Sequence, residues 1–252
     1  MKRYGVLLKN ELKLNIRDMN MVIFAIAMPL AVLVVLGLLY GAKPAFPGAD
    51  YTFLEQSFGA VCTVSICAGG LMGLPLVVSD YREKKILKRF HVTPVSPALL
   101  LGVELTIYML YCAVSLVTLA VTARLVWGVT LRGSAAAFLA SWLLTMVSTL
   151  SIGLLVGGLA KNAKQAGVIA SLLYFPMLLF SGTTVPVEVM PGAMQKIIGI
   201  FPLNQGIRLM KVSFLGLKTE ALWLPVLVML AVTAVCAGLA VRYFKWESAP
   251  AS

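Results

Sequence analysis

Charged residues are scarce in this chain of 252 residues, and that scarcity excludes a soluble domain. Asp, Glu, Lys and Arg together make up 12% of the sequence, whereas hydrophobic residues make up 60% and the mean hydropathy is +0.93. Soluble domains carry about 25% charged residues and about 45 to 50% apolar ones. The composition therefore predicts a polytopic membrane protein, and its long apolar runs predict that it is all-α.

Acidic residues are scarcer still, since ten Asp and Glu stand against 21 Lys and Arg, which gives a formal net charge of +11. In a soluble chain this excess would suggest a nucleic-acid partner, but a membrane protein places basic residues in its cytoplasmic loops. We therefore predict membrane lipids as partners and no nucleic acid. With six spans, 14 of the basic residues fall on one side and 7 on the other. That asymmetry predicts that both termini of the multi-pass protein lie in the cytoplasm.

The sequence also lacks the motifs of common active sites. It contains no Gly-x-x-x-x-Gly-Lys-Ser/Thr for nucleotide phosphates, no HExxH and no Gly-x-Ser-x-Gly. The four cysteines lie in apolar runs and the single histidine, His91, has no second metal ligand nearby, so we predict no metal site. Glu104, near the start of the third apolar run, is expected to snorkel or to pair with a loop lysine. The chain is therefore predicted not to be an enzyme and to hold no cofactor itself.

Six apolar runs predict six transmembrane helices, because about 20 apolar residues cross a hydrocarbon core of about 30 Å. They lie at about residues 21–40, 57–79, 99–123, 134–160, 166–180 and 222–241. Before the first run, residues 1–20 have apolar side chains at four-residue steps beside a basic stripe, which predicts an amphipathic interfacial helix. A plain basic leader is the alternative for that stretch. Residues 1–252 thus form one predicted transmembrane domain.

Glycine and proline inside these runs indicate where helices pack closely or bend. Glycines four residues apart let two helix backbones approach each other, and proline bends a helix because it removes a backbone donor. The predicted packing and bending positions are Pro29, Gly69, Gly73, Pro75, Gly153 and Gly157.

The long polar stretch between the second and third runs covers residues 80–97, DYREKKILKRFHVTPVSP. Asp80 and Glu83 have the spacing of a capping box, which predicts a short helix over about residues 81–91. Pro94 should stop that helix, since proline has no backbone N–H and pushes the preceding residue out of the helical region.

An apolar pair stands out on this predicted helix. Leu87 and Phe90 are three residues apart and share a face, while the lysines point elsewhere. One interpretation is a solvated cytoplasmic loop whose lysines orient the protein and contact anionic lipid. The other is a docking element for a cytoplasmic partner.

A second unusual stretch, residues 181–216, precedes the last apolar run. It mixes three prolines with apolar clusters. A wholly solvated loop would not need that much apolar surface, so we expect short helices that re-enter the outer leaflet where protein or a wet cavity satisfies their backbone. A structured extracellular loop is the alternative.

These two stretches resemble the type-2 ATP-binding-cassette exporter permeases, and the resemblance covers roughly residues 5–245. One match is the basic loop that ends in Thr-Pro-Val-Ser, and the other is the order Ser-Gly, Pro-x-Glu, Met-Pro, Phe-Pro-Leu-Asn before the last run. Lys85 and Glu104 stand where the family usually has a glycine and a lysine. By this resemblance the residues that couple to an ATPase are Glu83, Ile86, Leu87, Phe90, His91 and Pro94. The outer signature comprises Ser181, Gly182, Pro186, Glu188, Pro191 and Pro202.

The resemblance implies a transmembrane subunit of an ATP-driven exporter in a bacterial-type cytoplasmic membrane. Its substrate would be a hydrophobic or amphipathic compound, such as a drug, an antibiotic, a lipid or a glycolipid, moved out of the cytoplasm or the inner leaflet. The partners implied are two separate ATPase subunits, which bind ATP and Mg²⁺, and a second permease copy or a homologous half. The alternative is a non-transporting membrane anchor or sensor subunit of a signalling or resistance complex.

Overall fold

The computed structural model describes residues 2–17, 19–41, 43–86, 97–179, 199, 201–217 and 222–243. The regular structure of these residues is helical. A single isolated bridge, between Pro44 and Thr52, is the only β pairing within those ranges. The predicted all-α fold class is confirmed.

Ten α-helices and two π-helical segments follow one another in the described residues. In chain order they are α1 (Lys2–Arg17), α2 (Met19–Val22), π1 (Ile23–Ala27), α3 (Met28–Tyr40), α4 (Phe53–Cys67), π2 (Ala68–Gly73), α5 (Leu74–Glu83), α6 (Pro97–Trp127), α7 (Ala135–Leu159), α8 (Ala163–Leu179), α9 (Pro202–Leu215) and α10 (Trp223–Tyr243).

Five helices of the described residues are long and apolar enough to cross a membrane. They are Ile23–Tyr40, Phe53–Glu83, Ala98–Trp127, Ala135–Leu159 and Trp223–Tyr243. The helix α8 is apolar but has 17 residues, so it rises about 26 Å against a hydrocarbon core of about 30 Å. The polytopic fold is therefore confirmed, whereas the count of six spans stays a prediction.

The span Phe53–Glu83, built from α4, π2 and α5, lies at the centre of the bundle. Most of its side chains are buried, whereas each of the other four candidate spans buries less than half of its most apolar window. Three phenylalanine rings, Phe58 of α4, Phe138 of α7 and Phe214 of α9, pack with centroids 4.9 to 6.0 Å apart. The central helix therefore forms the surface on which the other helices pack.

Both predicted bending prolines follow a π-helical segment. Pro29 is the second residue after π1 and Pro75 is the second residue after π2. Proline has no N–H to donate to the preceding turn, and the wider π turn accommodates the missing hydrogen bond while the chain stays helical. Both spans therefore stay helical through their prolines, and a bend at these positions stays a prediction.

Glycine allows the backbone of α7 to contact the central span directly. A Cβ atom on Gly153 would overlap the carbonyl oxygen of Gly70, and one on Gly157 would lie 3.0 Å from the Cα and carbonyl oxygen of Pro75. Gly73 faces the side chains of Met21 and Tyr108. Small residues are common where membrane helices approach each other, because hydrocarbon tails leave van der Waals packing as the main attraction.

The helix α9 reaches into the bundle instead of lying outside it. Gly206 of α9 lies against Thr145 of α7, and the Ser213 and Ser141 hydroxyl oxygens are 3.3 Å apart. Thr145 is ten residues into α7, or about 15 Å along its axis. The helix therefore packs between other helices, and Pro202, from the predicted outer signature, is its buried first residue. Its re-entry into the membrane stays a prediction.

Two predicted boundaries are wrong because capping and propensity extend the helices. The central span begins at Phe53 instead of near residue 57, since Thr52 and Glu55 form a capping box at its N-terminus. The third run, predicted to end near residue 123, stays helical to Trp127 before Gly128 adopts a left-handed conformation.

We expect Gly153→Ala to destabilise the protein strongly, because the added methyl group meets a backbone oxygen that cannot rotate away. Overpacking of this kind costs about 1 to 3 kcal/mol, and more when backbone must move. The unfolding temperature of the detergent-solubilised chain measures the effect. Gly238→Ala is the matched control, since nothing lies within 4 Å of a Cβ built there. Equal unfolding temperatures for both variants would contradict the close backbone contact.

Candidate functional site

Three helices meet at one end of the bundle, which we call the Arg82 end. The helix α5 ends there at Glu83, α7 ends at Leu159 and α8 begins at Ala163. The chain that leaves α5 enters the polar stretch for which the sequence predicts partner docking. The contacts at this end therefore determine which helices would move when a partner displaces that stretch.

Arg82 joins the end of α5 to the end of α7. Its side chain is buried, and the two hydrogens of Nη1 are shared among three carbonyl oxygens, those of Gly157 at 3.2 Å, Gly158 at 3.0 Å and Ala160 at 2.6 Å. The last carbonyls of a helix have no partner within the helix and carry partial negative charge. A hydrogen bond from a charged group contributes about 1.5 to 3 kcal/mol, so this contact is a strong link between the two helices.

Glu83 joins the same end of α5 to the start of α8. Its Oε2 accepts from the backbone N–H of Ala163 at 2.9 Å. That N–H is one of the unpaired donors at a helix N-terminus, where negative charge is also favoured by the helix dipole. Asn162 acts as the local N-cap, since its Oδ1 accepts from the N–H of Gln165 at 2.8 Å. Consecutive residues of α5 thus hold α7 and α8 together.

The predicted short helix over residues 81–91 is wrong at its start. The helix α5 continues to Glu83 and then turns at Lys84 and Lys85. Asp80 therefore lies inside a helix, where it pairs with Lys84 at 2.8 Å instead of acting as a cap. The spacing Asp-x-x-Glu is compatible with the start of a helix and with its interior. The hydrogen bonds from Arg82 to buried carbonyl oxygens of α7 favour a helix that continues to Glu83.

Exposure limits what the Asp80–Lys84 pair contributes. The hydrogen bond from Lys84 to Asp80 and the charge of that carboxylate raise the pKa of Lys84. The lysine side chain is 64% exposed, and exposed pairs contribute little to stability. Lys85 has φ of +55°. It stands where the resemblance expects a glycine, and glycine adopts this left-handed conformation without strain.

Much of the predicted coupling site lies outside the described residues. Ile86 is helical and half-buried. The predicted residues outside the described ranges are Leu87, Phe90, His91 and Pro94 of the coupling stretch, and Ser181, Gly182, Pro186, Glu188 and Pro191 of the outer signature. Their roles stay predictions.

Glu104 does not snorkel, nor does it pair with a lysine of the described residues. Its side chain is completely buried, and Oε1 accepts from the Tyr81 hydroxyl at 2.9 Å. The same hydroxyl oxygen lies 3.3 Å from Oε2 of Glu11 on α1. Burial raises the pKa of the Glu11 carboxyl, and the hydrogen bond with Tyr81 offsets part of that rise. Sequence reasoning missed this contact between α1, α5 and α6, because its members are distant in the chain.

The helix α1 packs along the start of α6 at the Arg82 end. The Tyr4 hydroxyl lies 2.5 Å from Oγ1 of Thr106 and donates to the carbonyl oxygen of Gly102 at 3.2 Å. Leucines of α1 pack against Val103 and Ile107 of α6. The predicted N-terminal helix is present, and its apolar face covers part of the bundle.

At the opposite end of the bundle, Glu55 joins two loops. It is buried, and its Oε2 lies 3.1 Å from Nη2 of Arg132. Its Oε1 accepts from Oγ1 of Thr130 at 3.2 Å, and Oε2 accepts from the N–H of Thr52 at 2.9 Å. The sequence held a readable signal for this residue, the Thr-x-x-Glu spacing of a capping box. Arg82 had no such local signal, since its acceptors are 75 to 78 residues away.

A family model described as ABC-2 type transporter matches residues 2–215. The chain belongs to the ABC-2 type transporter family. This confirms the resemblance drawn from the two motifs. Family membership supports a transmembrane subunit of an ABC transporter and a multi-pass membrane protein.

Two curated relatives of this ABC-2 family chain are inner membrane transport permeases. Each is named YhhJ, one from Escherichia coli (strain K12) and one from Shigella flexneri. The chain is 24% identical to each over 201 residues, which is 79% of this chain and 53% of the relative. The chain thus spans about half the length of the curated relatives it matches.

We expect Arg82→Met to destabilise the ABC-2 chain by several kcal/mol, because an apolar side chain fills the space but leaves three buried carbonyl oxygens without their donor. Leaving buried polar groups unsatisfied costs about 1 to 3 kcal/mol for each group. Unfolding of the full chain in detergent, followed by intrinsic fluorescence, measures the loss. Lys84→Gln alters the exposed neighbouring pair and should leave unfolding nearly unchanged. If Arg82→Met unfolded like Lys84→Gln, the link between α5 and α7 would be contradicted.

Proposed function

We propose that this chain is the transmembrane subunit of an ATP-driven exporter, which moves a hydrophobic or amphipathic compound out of the cytoplasm or the inner leaflet. A separate pair of ATPase subunits, which bind ATP and Mg²⁺, supplies the energy, and a second permease copy or a homologous half completes the pathway. The proposal extends family membership, since the chain matches only about half the length of its named relatives.

The observation that carries the proposal is the construction of the Arg82 end. The polar stretch predicted to dock on a partner leaves α5 directly after Arg82 and Glu83, which contact the ends of α7 and α8. A displacement of that stretch would therefore act on three helices at once. The excess of basic residues on this side favours a cytoplasmic position for it, where an ATPase could bind.

A groove beside α8 supports an amphipathic substrate. Its volume is about 590 Å³, and its lining includes Met72 of π2 together with Val168, Leu172 and Phe175 of α8. Lys164, in the first turn of α8, lines the same groove. An apolar tail would lie along the walls, and an anionic or polar head would face the lysine. Ligand pockets commonly combine mostly apolar walls with a few polar groups that set orientation.

The direct experiment is flux through the purified complex in liposomes. The chain is copurified from native membranes with its associated ATPase, and the vesicles contain fluorescent phosphatidylglycerol as the probe. We expect ATP to change the fraction of probe that a membrane-impermeant reductant can reach. A complex that hydrolyses ATP without moving the probe would favour the anchor or sensor function instead.

Coupling is tested by Leu87→Asp and Phe90→Asp. A buried carboxylate in a docking groove costs several kcal/mol unless it is paired. We therefore expect either change to lower permease-stimulated ATP hydrolysis by about tenfold or more, since about 1.4 kcal/mol corresponds to tenfold.

Lys88→Ser is the matched control for coupling, since it alters the same stretch without removing the apolar pair, and membrane insertion should be equal in all variants. Unchanged stimulation in both aspartate variants would contradict docking through this stretch.

A further inference from the structure

One phenol hydroxyl lies between two carboxyl groups at the Arg82 end. Tyr81 of α5 has its hydroxyl oxygen 2.9 Å from Oε1 of Glu104 on α6 and 3.3 Å from Oε2 of Glu11 on α1. We call these three residues the Tyr81 triad. Each member comes from a different helix, so the triad connects α1 to the body of the bundle.

The number of hydrogens limits the charge that the triad can carry. A phenol has one hydrogen to donate, and an ionised carboxylate only accepts. If both carboxyls were ionised, the Tyr81 hydroxyl could donate its hydrogen to only one of them. The contact with the other carboxylate would then join two oxygen atoms with no hydrogen between them. A proton on one carboxyl supplies the missing donor, because a protonated carboxyl has an O–H group.

The surroundings of Glu104 also oppose a second negative charge. Its side chain is fully buried, and its Oε2 accepts no hydrogen bond of normal geometry from the described residues. Burial and a nearby like charge both favour the neutral form of a carboxyl. The side chain of Asn15 faces this carboxyl without a hydrogen bond of normal geometry to Oε2, so burial remains the main factor that favours the neutral form.

Neighbouring charged groups of the described residues are directed away from the triad or paired elsewhere. From α1, Glu11 and Asn15 face Glu104, while the α1 lysines with described side chains, Lys9 and Lys13, are exposed.

From α5, Asp80 pairs with Lys84, Arg82 donates to the end of α7 and Glu83 caps α8. From α6, the next charged residue after Glu104 is Arg124, near the other end of that helix.

Water can reach the triad from one side. A cavity of about 420 Å³ lies between α1, α5 and the start of α8, and its lining includes Glu11, Asn15, Asp80 and Tyr81. Glu104 is behind Tyr81 and contacts the cavity through that hydroxyl. A proton can therefore enter from the cavity and be exchanged along the hydrogen bonds of the triad.

We propose that Glu11, Tyr81 and Glu104 form a proton-binding site, in which one shared proton holds α1 against α5 and α6. Proton binding and α1 docking are then linked. A carboxyl that is neutral in the docked state and ionised in the released state stabilises docking at low pH. That stabilisation is lost as the pH rises through the pKa of the docked site. The proposal does not depend on which compound, if any, the chain transports.

Infrared difference spectroscopy of the full chain in lipid nanodiscs tests the site directly, because a protonated carboxyl has a C=O band separate from those of carboxylates. We expect such a band at neutral pH, and we expect it to disappear on alkalinisation. Glu104→Gln should remove it, and Tyr81→Phe should shift it because a hydrogen bond is lost. Asp80→Asn, on the adjacent residue, is the matched control and should leave it in place.

Two results would overturn the proton site. One is a protonated band that is absent at neutral pH or is unchanged in both Glu104→Gln and Glu11→Gln. The other is a band that responds to Na⁺ or K⁺ at constant pH, since that response would identify a metal cation as the occupant.

Hydrogen exchange tests the link to docking. We expect the protection of α1 amides, normalised to intrinsic exchange at each pH, to fall by about tenfold for each pH unit between the pKa of the released carboxyl and the pKa of the docked site, and to level off at higher pH. Glu104→Gln keeps a neutral side chain and should retain protection at the same pH. Equal loss of protection in both proteins would refute the link between the proton and α1.

Discussion

A buried guanidinium group sets the arrangement of the Arg82 end, and the candidate function depends on it. Arg82 satisfies three carbonyl oxygens at the end of α7, and the adjacent Glu83 satisfies the first N–H of α8. Helix ends leave backbone groups without partners, and those that are buried must find partners within the protein. The same two contacts that meet this requirement also connect three helices to the start of the polar stretch.

Direct backbone contact makes the connection stiff. Gly153 of α7 lies against Gly70 in π2, so there is no side chain between the two helices that could change its rotamer. The π-helical turn before Pro75 keeps the central span helical through that proline. On the far side of α5, Tyr81 links the same helix to α1 through Glu11 and Glu104. The helix α5 therefore contacts α7 and α8 on one side and α1 and α6 on the other.

The sequence predicted the fold wherever one strong local signal decided the outcome. The run predicted at about residues 134–160 is the helix Ala135–Leu159, because a long apolar run and a capping serine, Ser134, mark the same boundaries. The family followed from two motifs. The end of α5 was mispredicted, since the Asp80 and Glu83 spacing fits a helix start as well as a helix end. The partners of Arg82 could not be predicted, because they lie 75 to 78 residues further along the chain and depend on how α5 packs against α7.

The ends of α5, α7 and α8 are expected to move as one unit. Electron paramagnetic resonance between spin labels at positions 84 and 161, in a variant without the four native cysteines, measures their separation. The complex with the proposed ATPase is compared without nucleotide and with ATP trapped. One narrow distance distribution that is the same in both states is expected. A distribution that shifts or splits when ATP is trapped would contradict it.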